Sequence, residues 1–132
     1  VNLRKASAAF SLIVGFSIVL IWLILLIGGV GEVSGSLSST PIEMGTHIAV
    51  ELITASVLIV VGLGLLAEKG WSKTWFFFGT GLLTYSVISA AGFYGQRGDY
   101  VPAGVFVGIL ILGVLFTFLA WKSSNFIESQ DA

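Results

Sequence analysis

No cysteine occurs in the chain, which excludes disulfides, thiolate metal sites, iron–sulfur clusters and thiol redox chemistry. Charge is scarce as well: 10% of residues are charged, six lysines and arginines stand against seven aspartates and glutamates, and neither sign forms a run. That leaves no footprint for nucleic acid and no polybasic patch for lipid headgroups. Histidine occurs once, as His47. No Ser-His-Asp set, phosphate-cradling loop or pair of catalytic carboxylates can be assembled, and Gly62-Leu63-Gly64 lies inside an apolar run where it carries no phosphate implication. The residues do not point to an enzyme, and any redox role needs a cofactor.

Apolar residues are what the chain has in excess. They make up 56% of its 132 residues, with a mean hydropathy of +1.03, outside the range of a soluble core. Four runs, at residues 6–28, 46–67, 74–94 and 102–121, each reach the roughly 20 residues that a helix needs to span a bilayer. Stretches such as FSIVLIWLILLIG show no period-2 alternation, which argues against a barrel. The connections are short except for GGVGEVSGSLSSTPIE, Gly28 to Glu43, within an outer loop expected over 29–45. These features predict an all-α fold, one membrane domain over 1–132, in which short links make consecutive helices antiparallel in an up-down four-helix bundle. The two halves show no internal repeat, so an inverted-repeat transporter is not supported.

Basic residues set the orientation. Arg4 and Lys5 precede the first run, Lys69 and Lys73 separate the second and third, and Lys122 follows the fourth, against Arg97 alone on the other side. The positive-inside rule then places both termini in the cytoplasm, with Glu32, Glu43 and the turn Gln96-Arg97-Gly98-Asp99 facing outward. Trp71, Trp75 and Trp121 fall near the inner interface and Tyr94 and Tyr100 near the outer one, as aromatic belts do. The first run is longer than a signal-peptide core and no A-x-A site follows it, so it is expected to span rather than to be cleaved. Pro41 and Glu43 mark the start of the second helix, Gly70 its stop, and Pro102 the start of the fourth.

Small residues at four-residue spacing, Ser7, Ser11 and Gly15 on the first helix and Gly104 and Gly108 on the fourth, read as contact stripes, within the bundle or between protomers. On the third helix Gly81, Tyr85, Ser89, Gly92 and Gln96 share one face, a composition not written for lipid.

The second helix carries the strongest signal. THIAVEL, residues 46–52, sets His47 and Glu51 one turn apart. An ionised carboxylate in hydrocarbon costs several kcal/mol unless it is paired, hydrated or protonated, so such residues face a bundle interior or a cavity. Counting from Thr46 puts Glu51 about 8 Å along the helix at 1.5 Å per residue, level with Ser89 and about one turn above Tyr85. A polar pocket in the outer half is therefore expected, with His47, Glu51 and Thr54 facing Tyr85, Ser89 and Gln96. A metal needs three or four ligands and no second histidine, cysteine or nearby aspartate is available. Haem needs only one axial histidine, or two from a dimer, but a single histidine is no signal for it.

HIAVELITASVLIVVGLGLL, with Glu51 followed by Ala55 and Gly62, together with Arg4, Lys5 and the four-span plan, resembles the DoxX-like group of small four-helix prokaryotic membrane proteins. Some members of that group are associated with redox systems, including a thiosulfate:quinone oxidoreductase subunit. The resemblance implies a quinone or redox-partner role in which Glu51 is the matched residue, and the GFYGQRGDY segment departs from it. Three functions remain open: an accessory or ligand-binding protein holding a quinone or lipid, a homo-oligomeric proton-coupled channel or transporter using Glu51, and a structural or assembly subunit alongside a membrane partner.

Overall fold

In the computed structural model, residues 2–28, 35 and 38–127 are described. Long apolar stretches leave backbone amides and carbonyls nothing to bond but one another, and four long helices form among the described residues: α1, Leu3–Ile27; α2, Pro41–Leu66; α3, Ser72–Gln96; and α4, Tyr100–Lys122. No strand occurs among the described residues. Each helix is long and apolar enough to cross a membrane.

The helix ends follow local chemistry. Asn2 caps α1, its side-chain oxygen accepting the Lys5 amide at 3.1 Å, which satisfies one of the free donors of the first turn. Helix α2 begins at Pro41 with Glu43 in its first turn, not at residue 46, and so takes up the end of the expected outer loop. The earlier loop residues 29–34, 36 and 37, Glu32 among them, lie outside the described residues.

Gly70 is not what closes α2. The helix ends at Leu66, and Glu68 adopts the left-handed conformation, φ 55°. The Glu68 amide donates to the Leu65 carbonyl at 3.3 Å and the Lys69 amide to the Gly64 carbonyl at 2.9 Å, a Schellman closure at a position that glycine usually takes. Arg4 holds it from outside: its guanidinium pairs with Glu68 at 2.8 Å and donates to the Leu65 and Leu66 carbonyls at 2.5 and 3.3 Å. The start of α1 thus caps the carbonyl end of α2. The α3–α4 turn does use glycine, with Gly98 at φ 78°.

Consecutive helices pack antiparallel, α1 on α2, α2 on α3 and α3 on α4, and α4 meets α1 only slightly. The α1–α2 seam is the closest. A Cβ on Gly15 would lie 2.8 Å from Ile59 and 3.0 Å from the Ala55 carbonyl, and one on Gly62 would lie 2.6 Å from Leu12. Lipid is as apolar as leucine, so close packing of this kind holds membrane helices together where the hydrophobic effect does not. Gly64 serves the same purpose against Trp71, whose ring a Cβ there would approach to 2.6 Å. Ser7 and Ser11 are buried and their hydroxyls have no partner among the described residues.

At what we term the basal end, both described chain ends and the α2–α3 turn come together. Lys73 donates to the Ser123 carbonyl at 2.9 Å, and Phe126 and Ile127 fold back against Ala8, Val61, Leu65 and Phe76. The distal end holds the α3–α4 turn and the start of α2. The Ser7, Ser11 and Gly15 stripe of α1 packs within the bundle, but Gly104 and Gly108 on α4 have nothing within 4 Å of an added Cβ: that stripe faces out of the bundle.

Candidate functional site

Glu51 sits about ten residues into α2, about 15 Å from its start at 1.5 Å per residue, deeper than a helix beginning at 46 places it. It is 9% exposed. Helices α2 and α3 pack side by side, and across that seam Ser86 donates its hydroxyl to Glu51 Oε1. A hydroxyl donor is a neutral partner. Among the described residues no lysine, arginine or histidine nitrogen lies within ion-pair distance of this carboxylate.

Glu51 and Ser86 form the deep part of a cavity of about 340 Å³. Its other walls are Glu43, Thr46, His47 and Val50 from α2 and Tyr85 and Ser89 from α3. Apart from Val50 these rim residues are exposed. Burial at the bottom and exposure at the rim describe a pocket with a polar floor. The Thr46 hydroxyl donates to its own helix, to the Ile42 carbonyl at 2.6 Å, which leaves the carboxylates, the imidazole, the phenol and Ser89 to face an occupant.

The expected residues are therefore distributed unevenly. His47, Glu51, Tyr85 and Ser89 are brought to one cavity. His47 and Glu51 make no hydrogen bond with each other: the imidazole sits edge-on to Trp22 of α1, centroids 5.8 Å apart at 73°, while Glu51 turns to Ser86. Thr54 lies below the cavity, fully buried, its hydroxyl donating to the Val50 carbonyl at 2.8 Å. Gln96, the last residue of α3, is exposed and lines no part of it.

The third helix is rotated from its expected phase. Its Gly81, Tyr85, Ser89, Gly92 and Gln96 face is turned outward, with Tyr85 67% exposed and nothing within 4 Å of a Cβ on Gly81 or Gly92. Phe76, Gly79, Thr80, Leu83, Ser86 and Val87 are buried in its place. One residue is about 100° of helix rotation, so Ser86 rather than Tyr85 meets Glu51. The physical reason is packing: Phe76, Leu83 and Val87 fill the interior against α1, α2 and α4, and tyrosine is too large for the close seam that Gly79 makes with Val57 and Leu58. Ser86 carried a usable signal, since it lies one helical turn pair beyond Gly79.

A second cavity, about 370 Å³, runs between α3 and α4 past Phe77, Phe118 and Trp121. Its three threonines are all satisfied by their own helices: Thr80 by Phe77 at 3.1 Å, Thr84 by Thr80 at 2.7 Å and Thr117 by Gly113 at 2.7 Å. It is an apolar groove without a free polar group. Among the described residues no three histidine, cysteine, aspartate or glutamate side chains converge on a point that could hold a metal.

Four helices long and apolar enough to cross a membrane suggest an integral membrane protein, and the buried carboxylate at the floor of a polar-rimmed pocket is its candidate functional site among the described residues. Residues 1–132 match the family described as a domain of unknown function, DUF8058, and the chain belongs to that family. No curated protein and no solved structure matches it.

Proposed function

We propose that this is an integral membrane protein of the prokaryotic plasma membrane, with both termini in the cytoplasm, that holds an amphipathic small molecule in the distal cavity with Glu51 as its anchor. The basic residues gathered at the basal end support that orientation through the positive-inside rule. One observation carries the binding reading: Glu51 is buried, bonded by Ser86, and opens onto a cavity of about 340 Å³. Concave sites with apolar walls and a few convergent polar groups are where small ligands bind, and the cost of a carboxylate inside a membrane protein is seldom met without a use. Quinones and lipids fit that description, which agrees with a DoxX-like accessory role. Haem has only His47 for an axial ligand, and His47 packs on Trp22.

A homo-oligomer is a second reading, supported by the outward stripes of α3 and α4, where Gly81, Gly92, Gly104 and Gly108 leave room for another helix. In that assembly Glu51 can serve proton-coupled transport, and proton flux into proteoliposomes that is equal for wild type and Glu51→Gln rules it out. The binding reading is tested by native mass spectrometry of detergent-released protein together with its visible spectrum. A bound molecule retained by wild type and lost from Glu51→Ala and His47→Ala is the expected result. A bare protein in every preparation, with no mass added by offered lipids or quinones, refutes it.

A further inference from the structure

The charges around the cavity are one-sided. Glu43 and Glu51 both line it, and no lysine or arginine does. Of the six basic residues, Arg4, Lys5, Lys69, Lys73 and Lys122 lie at the basal ends of the helices. Arg97 is engaged at the distal turn, its guanidinium 3.5 Å from the Phe93 ring centroid and donating to the Phe93 carbonyl at 3.2 Å. Residues 29–37 contain no basic residue. The protein therefore places a nine-tenths-buried carboxylate in a membrane-spanning helix and gives it a single neutral donor, and among the described residues no lysine or arginine lines its cavity and no cation pairs with it.

Such a group is stable when it carries a proton or when a cation enters from outside. The cavity is shaped for the second case as well as the first. A second carboxylate, Glu43, stands at the rim, and the phenol of Tyr85 offers an aromatic face, which attracts organic cations. The titratable groups that share the cavity with Glu51 are Glu43 and His47 from α2 and Tyr85 from α3; α1 and α4 line no part of it. Metal ions are a poor match, since among the described residues Glu43, His47 and Glu51 do not converge on a common point.

We propose that the ligand of the distal cavity is a monovalent amphipathic organic cation, its ammonium seated on Glu51 and its apolar part directed to the membrane. This rests on the binding reading above and names the ligand class. It also gives Ser86 a role as a positioning residue, holding Oε1 so that the other carboxylate oxygen faces the cavity.

The test is titration calorimetry of the intact protein in nanodiscs, with decyltrimethylammonium as the cationic probe and decylubiquinone as the neutral one. The cation is expected to bind and the quinone not to compete with it. Glu51→Gln is expected to weaken the cation at least about tenfold, the scale of removing one partner of a desolvated charge pair, while Glu51→Asp keeps part of the affinity. Binding of the quinone but not the cation overturns the charge assignment and leaves the cavity a ligand site. Binding of neither overturns both. If Glu51→Gln does not accumulate as folded protein, the comparison of the two probes on wild type decides alone.

Discussion

The basal and distal ends of this bundle are built by opposite rules. At the basal end polar groups are used up on structure: Arg4 on two α2 carbonyls and Glu68, Lys73 on the Ser123 carbonyl. Phe76 is fully buried there with the Phe126 ring tilted against it, centroids 5.9 Å apart. At the distal end His47, Tyr85 and Ser89 stay exposed around a cavity, and a Cβ on Gly92, Gly95 or Gly104 meets nothing within 4 Å. Stability is concentrated where the chain ends meet, and that leaves the other end free to keep a costly carboxylate.

Substitutions separate the two ends, the largest effect first. Gly62→Leu drives side-chain atoms into Leu12 and toward the Ala8 carbonyl and should cost about 3 kcal/mol of stability, read as a fall in the thermal midpoint in detergent. Gly104→Leu, on an open face, should leave the midpoint of the monomer unchanged. Phe126→Ala removes a 3% exposed ring from the basal core and should cost somewhat less, about 2–3 kcal/mol, because part of the segment can collapse onto Phe76. Arg4→Ala should cost about 2 kcal/mol, carried by its bonds to the Leu65 and Leu66 carbonyls. The Glu68 pair adds little to that, since Glu68 is 44% exposed and solvent screens it. Of the buried positions the smallest effect is expected for Glu51→Gln. The amide oxygen can still accept from Ser86, so stability should stay within about 1 kcal/mol while cation binding weakens at least about tenfold. A Glu51→Gln protein as unstable as Gly62→Leu would mean that Glu51 is a structural residue and would erase the contrast.

How far the sequence reaches depends on which physical quantity decides each feature. Helix number and order are decided by runs of apolar residues, and those are visible. That Glu51 is special is visible too, because one carboxylate in an apolar helix has few explanations. Helix phase is decided by packing of neighbours. In α3 apolar residues lie on every side, so the polar face of Gly81, Tyr85 and Ser89 looked inward-facing although Phe76, Leu83 and Val87 fill the interior. A one-residue error there replaces Ser86 by Tyr85. The α2 stop was misplaced for a similar reason: glycine is the ordinary left-handed residue, and nothing local to Glu68 announces that Arg4, 64 positions earlier in the chain, holds it in that conformation. The spacing of Gly104 and Gly108 marks a surface fit for close contact but not which helix approaches it.

The absence of cysteine makes the most direct measurement simple. A single cysteine introduced as Ser86→Cys tests the cavity floor, and one introduced as Ser11→Cys tests the closed interior of α1, in an otherwise thiol-free chain. Both serines are buried, but only Ser86 lines the cavity. Treatment of each folded protein with a positively charged, membrane-impermeant methanethiosulfonate should modify the cysteine at 86 and leave the one at 11 unreacted. Equal labelling of the two, or none at 86, contradicts an accessible, cation-receptive site at Glu51.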